Sequence, residues 1–413
     1  KQKTESSISD FTLLRKLSAG GVGQVWLSKK KQTGDYFAIK VMRKAAIRKL
    51  KLSQSVNVEK EILAKHASPF LVRGYFAFRS LHHIYFALEF LPGGDLLGML
   101  RNCGCVPENM ARFYLAEVML GLEYLHNLKI LHRDIKPSNV LIAASGHIKL
   151  ADFGLASSAS RLKQCGTVPY VAPEMIVEAS ADASLDLWAA GVLFYELIVG
   201  DVPFKGETPM EVLESINTMP IGERPGLHVT FTPEALDFLM GLLIVDPKQR
   251  LGVADFKDIT CHRAHPSKRS PPHRNPTPNS CGVIPSAHPT RSLSHVLLAA
   301  VFEGIPWSTL HQETPPFIPM LSHPGDTTYF DDAGPILMSQ DTLTLDSSAS
   351  SSAEHSENSE SEFDHITHVN VDHLVELTRN AASTPREDPE DGDGYYRHTQ
   401  ANRHDRTLPP HSP

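Results

Sequence analysis

The chain lacks a long apolar run, since a membrane-spanning helix needs about 18 consecutive apolar residues and no stretch here comes close to that length. Its first residues, KQKTESSISD, also lack the hydrophobic segment of a secretory signal peptide. No stretch combines clustered Lys and Arg with interleaved aromatic residues, which is the pattern of a nucleic-acid-binding surface. We therefore expect no membrane span and no nucleic acid partner.

Cysteine is scarce, since the 413 residues contain only five. Neither the number nor the spacing fits the disulfide framework of a small secreted domain, so we expect free thiols in a reducing compartment. Cys261 and Cys281 have no CxxC partner, which argues against a zinc site. These features predict a soluble protein of the cytoplasm, the nucleus or both. A first residue of Lys rather than Met is compatible with a piece of a longer protein.

Positive charge is rare in the last fifth of the chain. Residues 331–413 hold 17 acidic and 5 basic residues, a net −12 against −7 for the whole chain. The run SSASSSAEHSENSESE from Ser347 has almost no apolar side chains, so it cannot bury enough surface to offset chain entropy. Residues 260–300 are dominated by Pro, His, Ser and Arg without periodicity. We expect 260–300 to be either a disordered surface insertion or a translated intron, and 371–413 to be a disordered acidic tail.

The apolar periodicity changes along the chain. It predicts strands first, with one helix at 56–66, and the strands are 11–17, 24–28, 36–41, 71–78 and 84–90. After Pro92-Gly93-Gly94 the spacing becomes helical, with helices predicted at 95–102, 108–126, 186–199, 209–217 and 233–244. The chain therefore passes from a small antiparallel β region into a larger α-helical region.

Two motifs in the helical region resemble the phosphoryl-transfer site of protein kinases. LHRDIKPSNVL contains Asp134 and Asn139, and the Asp152 of ADFG follows eighteen residues after Asp134. In protein kinases the first Asp accepts the proton of the substrate hydroxyl, while the Asn and the DFG Asp bind Mg²⁺. Each residue alone could belong to an ordinary polar loop, but their joint spacing is specific. We expect Asp134 to be the catalytic base, with Asn139 and Asp152 as Mg²⁺ ligands.

The segment between the first two predicted strands is rich in glycine. SAGGVGQV resembles the kinase pattern GxGxxGxV, with Ser18 in place of its first glycine and Val25 at its end. Gly20 and Gly23 remain, and without a Cβ they let backbone N–H groups approach the phosphates of ATP. A Gly-rich hairpin turn without a ligand is the alternative interpretation.

The segment AIKV resembles the kinase strand whose Lys binds the α- and β-phosphates and pairs with a Glu of the next helix. Lys40 is that Lys, Glu59 is its expected partner, and Glu61 is the fallback on another side of the helix. The alternative is an edge-strand Lys and a solvated Glu. The resemblance adds three further nucleotide-binding residues, which are Ala38, Glu89 and Leu91.

The residues after Asp134 bear on the acceptor. Lys136 is expected to stabilise the transferred phosphoryl group and favours Ser or Thr over Tyr. By resemblance, Thr167 would hydrogen-bond Asp134 and Lys136, Glu174 of the APE motif would pair with Arg250, and Asp186 would hold the catalytic-loop backbone. Ser138 replaces an acidic residue that often precedes the metal-binding Asn, which leaves Asp95 and Glu196 to bind a basic residue upstream of the acceptor.

Later segments resemble the C-terminal tail of the AGC kinases, the group of protein kinase A. They are PPFIP from Pro315 and DTTYFDD from Asp326, and the tail Phe equivalent to Phe330 contacts the adenine pocket in that group. Together with TGDYFAIKVM, DTTYFDD is most similar to the microtubule-associated and Greatwall-like branch, which includes fungal nutrient-signalling kinases. EFDHITH, residues 362–368, resembles a degraded hydrophobic motif whose docking would bury less apolar surface than the aromatic version. A chance match in a disordered tail is the alternative.

The predicted activation loop departs from the pattern. Lys163 stands where protein kinase A-like members carry an activating Thr, and the Greatwall-like insertion is absent. Phosphate on Ser157, Ser158 or Ser160, added by an upstream activating kinase, would meet Arg133. The other possibility is a loop without regulation.

The resemblance implies an α+β, bilobal protein kinase fold. The small antiparallel β lobe carries one regulatory helix, the larger lobe is mostly α-helical, and an AGC C-terminal tail follows. Expected boundaries are 1–10 for an N-terminal extension, 11–90 and 91–259 for the lobes, 301–312 for the end of the large lobe and 313–370 for the tail. The implied function is an ATP- and Mg²⁺-dependent serine/threonine protein kinase acting on proteins, and the alternative is a pseudokinase scaffold that binds partners without phosphoryl transfer.

Overall fold

The small lobe is built on an antiparallel sheet with the strand order β1-β2-β3-β5-β4-β10. A computed structural model describes residues 6–20, 23–158, 166–177, 182–224, 226–252, 300–330, 363, 366 and 368–369. The sheet strands are β1 Phe11–Ala19, β2 Gly23–Lys30, β3 Tyr36–Arg43, β4 Gly74–Arg79, β5 His83–Glu89 and β10 His368–Val369. The predicted β-rich lobe is confirmed. The predicted insertion 260–300 and acidic tail 371–413 lie outside the described residues, apart from Ala300.

Two helices follow β3, namely α1 (Lys44–Lys49) and α2 (Ser53–Lys65). The helical spacing predicts that Val58, Ile62 and Leu63 share the inner face of α2. Ile62 and Leu63 are buried as predicted, whereas Val58 is only partly buried and Val56 takes the buried position instead. The predicted strand 71–78 is shorter, because Leu71 forms a parallel bridge with Leu150 of the large lobe instead of joining the sheet. Helix α1 was not predicted, since only its residues Lys44 and Ile47 are buried.

The large lobe consists mainly of helices around α6 (Ser184–Val199), which is buried from Ser184 to Ile198. A helix that is apolar on all sides can be stable only inside a protein core. Side chains cap the N-termini of α3, α7 and α9 by accepting backbone N–H bonds. The other helices are α3 Leu96–Cys103, α4 Glu108–Asn127, α5 Pro173–Ile176, α7 Pro209–Thr218, α8 Leu227–Thr230 and α9 Pro233–Leu242.

Short strand pairs carry the loops of the large lobe. β6 (Ile130–Leu131) pairs with β9 (Ser157–Ser158), and β7 (Val140–Ile142) pairs with β8 (Ile148–Leu150). Asp134 therefore lies in the loop between β6 and β7, and Asp152 lies in the segment between β8 and β9. No helix in the described part of the chain is long and apolar enough to cross a bilayer.

The C-terminal tail packs along both lobes. An added Cβ at Gly146 of the large lobe would lie 2.1 Å from the carbonyl oxygen of Phe317, and one at Gly325 would lie 2.4 Å from the ring of Tyr36. Further on, Phe363 and Ile366 are buried, and β10 pairs with β4. The segment 362–368 thus docks on the small lobe at its described positions, rather than matching the motif by chance.

Candidate active site

Register within the sheet puts three predicted nucleotide-binding residues on one face. Val25 lies opposite Lys40, and Ala38 is two residues before Lys40 on the same strand. Cross-strand partners and residues two apart point to the same side of a sheet. Val25, Ala38 and Lys40 therefore share the face that looks toward α2 and the large lobe.

Lys40 contacts carboxylates from two other segments. Its Nζ lies 2.6 Å from Glu59 Oε1 and 2.8 Å from Asp152 Oδ1. Glu61, the fallback partner, instead lies 3.5 Å from Lys65 and is 63% exposed. The α2 helix therefore turns Glu59, and not Glu61, toward the cleft.

These contacts control the charges in the cleft. Burial alone would lower the pKa of Lys40, but the carboxylates of Glu59 and Asp152 outweigh burial and raise it. The ammonium of Lys40 in turn lowers the pKa of Asp152 to about 2. At neutral pH, Lys40 is therefore protonated and the half-exposed Asp152 is ionised.

Three polar side chains surround Asp134 in the catalytic loop. Its Oδ2 lies 2.7 Å from Lys136 Nζ and accepts a bond of 2.8 Å from Asn139 Nδ2. Its Oδ1 accepts a 2.9 Å bond from the Thr167 hydroxyl, which itself accepts a 2.6 Å bond from Lys136. Asp134 is buried, so this network fixes the direction of its carboxylate. The predicted contacts of Thr167 are present.

A buried carboxylate holds the backbone of this loop. Asp186 accepts hydrogen bonds from the N–H groups of His132 and Arg133, at 2.9 and 2.7 Å, and lies 2.7 Å from His126 Nε2. Burial would raise the pKa of Asp186, but these partners lower it instead. Arg133 has a φ of 66°, a left-handed conformation that costs energy for a residue other than glycine. The Asp186 bonds compensate for that strain, in the role that the sequence predicted.

The donor set fits a hard cation together with a nucleotide. Both N–H bonds of the Asn139 amide go to Asp134, one to its carbonyl oxygen and one to its carboxylate, so Asn139 Oδ1 remains an acceptor. Asn139 Oδ1 and Asp152 supply oxygen ligands, which Mg²⁺ prefers. In the described residues no three His, Cys, Asp or Glu side chains are close enough to hold a metal by themselves. A cation held by Asn139 and Asp152 would have coordination positions left for water or phosphate oxygens.

The glycine-rich segment forms a tight turn. The Gly20 N–H donates a 2.8 Å bond to the Gly23 carbonyl, so this donor is already used. An added Cβ at Gly23 would lie 2.1 Å from the carbonyl oxygen of Val41, so only glycine fits there. Ser18 pairs with Val25 at the end of β1. The tip, residues 21–22, lies outside the described residues.

The linker between the lobes contains contacts that the sequence did not predict. The Glu89 carboxylate accepts bonds from Lys149 Nζ at 2.9 Å and from the Arg73 N–H at 2.7 Å. Its side chain is therefore used by protein partners, and only its backbone remains for a ligand. Leu91 is buried next to it. The Glu89–Lys149 pair joins residues 60 positions apart, so no local sequence pattern predicts it.

Tail residues reach the same linker. The Phe330 ring stacks on Phe90 with 5.8 Å between the ring centroids. Arg15 of β1 donates a 2.6 Å bond to the Thr327 hydroxyl. Phe330 thus lies beside the linker that contains Glu89.

The expected substrate side is only partly described. Tyr170 donates a hydrogen bond to Glu196, and burial raises the pKa of that Glu. Asp95 Oδ1 caps α3 by accepting a bond from the Gly98 N–H at 2.7 Å. Glu174 pairs with the fully buried Arg250, as predicted. Residues 159–165, with Ser160 and Lys163, lie outside the described residues, as do the side chains of Ser157 and Ser158.

Known proteins share this arrangement in sequence. The protein kinase domain family matches residues 11–263. "Probable serine/threonine protein kinase IRE" of Arabidopsis thaliana is 34% identical over 364 residues, covering 79% of this chain and 28% of that protein. The "cAMP-dependent protein kinase, catalytic subunit-like" protein of Caenorhabditis elegans is 33% identical over 332 residues, covering 79% of this chain and 73% of the relative. "cAMP-dependent protein kinase type 3" of Saccharomyces cerevisiae is 37% identical over 248 residues, covering 60% and 61%.

These matches differ in extent. The chain spans only 28%, 25% and 31% of the length of three plant relatives, so it corresponds to one part of those proteins. The kinase domain match, by contrast, covers more than half of this chain, and the Caenorhabditis relative is covered over more than two thirds of its length. The chain therefore belongs to the protein kinase family and is of the AGC type.

Proposed function

We propose that the chain transfers the γ-phosphoryl group of Mg-ATP to Ser or Thr hydroxyls of protein substrates. The single observation that carries this proposal is the network of Asp134, Lys136, Asn139 and Thr167. It joins a buried carboxylate, an ammonium group, an amide and a hydroxyl through four contacts of 2.6–2.9 Å. The bonds from Asn139 and Thr167 orient the Asp134 carboxylate, so that it can accept the proton of an incoming hydroxyl.

Bound Mg-ATP supplies the electrophilic phosphoryl group and a metal that neutralises its charge. Asn139 and Asp152 would hold the metal, and Lys40, braced by Glu59, would hold the phosphates. Lys136 places a positive charge 2.7 Å from Asp134, beside the position where negative charge grows during transfer. Val25, Ala38, Leu91 and Phe330 are the apolar residues that we assign to the base pocket. The backbone of Glu89 and the residues Ser18, Gly20 and Gly23 are assigned to positions beside them.

Two finer features belong to the same proposal. Glu196 and Asp95 are the carboxylates that would attract a basic residue upstream of the acceptor, and Ser138 contributes no charge there. An upstream kinase is supported by Arg133, whose Nε and Nη2 are buried and have no hydrogen-bond partner among the described residues. A phosphate on the neighbouring loop would satisfy these donors.

The test is a radiolabelled-ATP assay on degenerate Ser/Thr and Tyr peptide libraries. Wild type should label the Ser/Thr library only, and Asp134→Asn should fall to background. Glu61→Gln is the matched carboxyl-to-amide control and should keep wild-type activity, since Glu61 lies on the solvent side of α2. The melting temperature without nucleotide shows whether each variant is folded, and its shift on addition of nucleotide shows whether the variant binds it. Background labelling by folded, nucleotide-binding wild type would favour the scaffold alternative, which no described contact favours.

A further inference from the structure

Two exposed thiols flank a reversed turn at the end of α3. Cys103 and Cys105 are both exposed and free, and Gly104 lies between them. Gly104 has φ 79° and ψ −54°, the angles of a γ-turn that is rare for residues with a side chain. Such a turn folds the chain back over three residues, which suits the about 4.4–6.8 Å between Cα atoms that a disulfide requires.

The turn is held from both sides. The Gly104 N–H donates a 2.7 Å bond to the Leu100 carbonyl, and the Val106 N–H donates a 2.8 Å bond to the Leu197 carbonyl of α6. Gly200, which ends α6, is packed so closely that an added Cβ would lie 2.5 Å from the Gly104 carbonyl oxygen. The backbone around the thiols is therefore fixed before any reaction, which lowers the entropy cost of joining them.

The surroundings of Cys103 are defined as well. Burial first, and then the charge of Cys105, raise the pKa of Cys103, which disfavours its thiolate form. Cys103 Sγ donates a 3.0 Å bond to the Met99 carbonyl, and this bond must break before the sulfur can turn toward Cys105. Nothing in the proposed phosphoryl transfer uses either thiol.

We propose that Cys103 and Cys105 form a reversible intramolecular disulfide when the protein meets a peroxide. One thiolate attacks the O–O bond of hydrogen peroxide, which gives a sulfenic acid and releases the first water. The other thiol attacks the sulfenic sulfur, the S–S bond forms, and the hydroxyl leaves as the second water. Two thiols are oxidised and one peroxide is reduced. Because the ring is small and exposed, external dithiols should reduce it readily.

Tryptic peptide mapping of the full chain tests this site. Trypsin cuts after Arg101 and Arg112, so both thiols fall on the peptide 102–112, while Cys165, Cys261 and Cys281 fall on others. After brief treatment with a small excess of hydrogen peroxide, this peptide should lose about 2 Da and regain it with dithiothreitol. Cys103→Ser and Cys105→Ser should instead leave a sulfenic acid that dimedone traps.

The outcomes separate cleanly because the measurement reads mass and not kinase activity. A peptide 102–112 that stays reduced, goes to sulfinic acid, or cross-links to another cysteine would overturn the proposal. Gly104→Ala keeps both thiols but disfavours positive φ, so it should slow disulfide formation by about tenfold. Equal rates in wild type and Gly104→Ala would overturn the role of the turn in bringing the thiols together. Loss of phosphoryl transfer would leave both results unaffected.

Discussion

Replacing Glu59 by Gln should weaken both the fold and the catalytic activity. Glu59 is 2% exposed and Lys40 16% exposed, with 2.6 Å between the charged atoms. At an effective dielectric constant of about 20, two unit charges at that distance attract by roughly 6 kcal/mol, and desolvation offsets much of this. The Gln amide keeps a hydrogen bond, and Asp152 still lies 2.8 Å from Lys40. We therefore expect a loss of about 2–3 kcal/mol in the free energy of unfolding, somewhat less than the roughly 3–5 kcal/mol of a fully broken buried pair.

Activity should fall more steeply than stability suggests. Without the Glu59 charge, Lys40 is drawn toward Asp152, which is also needed for the metal. A loss of about 10²-fold in kcat is the usual result of removing one preorganised electrostatic group. Urea unfolding measures the first effect, and steady-state kinetics at saturating ATP measure the second.

Glu61→Gln is the control, because its exposed pair with Lys65 contributes at most about 0.5 kcal/mol. A double-mutant cycle of Glu59→Gln and Lys40→Met, measured on the free energy of unfolding, separates the interaction energy of the pair from general damage to α2. We expect a coupling of about 2 kcal/mol. Coupling below about 0.5 kcal/mol, or equal losses in Glu59→Gln and Glu61→Gln, would refute the reasoning.

Three other changes give distinct results. Thr167→Val should lower kcat about 10-fold or more, because the Asp134 carboxylate loses a hydrogen-bond donor. Thr167→Ser keeps the hydroxyl and should keep most of kcat. Equal losses of kcat in the two variants, measured in a peptide kinase assay, would contradict this. Phe330→Ala should raise KM for ATP several-fold with KM for peptide unchanged, and a rise only for peptide would place Phe330 elsewhere. Because the pKa of Asp152 is lowered to about 2, its stabilisation is full above the unfolded-state pKa of about 3.9 and is lost as pH falls from there toward 2. Urea midpoints of wild type and Asp152→Asn should therefore converge over that range, and parallel profiles would contradict the assignment.

Local sequence patterns predicted the helices and strands in which apolar residues recur at a regular spacing. In α2 the predicted face of Val58, Ile62 and Leu63 is buried at Ile62 and Leu63 and partly buried at Val58, and the predicted span differs from the observed one by only a few residues. Helix α1 has no such spacing, because its six residues hold three Arg or Lys side chains and only Ile47 as a large apolar one. Lys44 and Arg48 of α1 instead lie over the Phe363 ring, at 5.6 and 5.3 Å from its centroid. That partner is more than 300 residues away, so no window of sequence around α1 contains it.

The same limit applies at the site. The motifs identified Lys40, Glu59 and Asp152 because each sits in a recognisable local segment. The Glu89–Lys149 pair was missed, since its two residues come from β5 and β8 and only the approach of the two lobes brings them together. The sequence also predicted weak docking of 362–368, on the ground that Ile366 and His368 replace aromatic residues. That argument counted side-chain area alone and omitted the backbone pairing of β10 with β4.

This pairing bears on how the cleft is held together. Tail burial of Phe363 and Ile366 removes apolar surface from water at the lobe that carries α1 and α2, and each such side chain contributes about 1.5–3 kcal/mol when fully buried. The strand β10 adds backbone hydrogen bonds at an edge of β4 that would otherwise face solvent. Helix α2 contacts β4 on one side, and its Glu59 contacts Lys40 on the other. A displacement of the tail would therefore remove support from the edge of the sheet on which α2 packs, and α2 is the helix that carries Glu59.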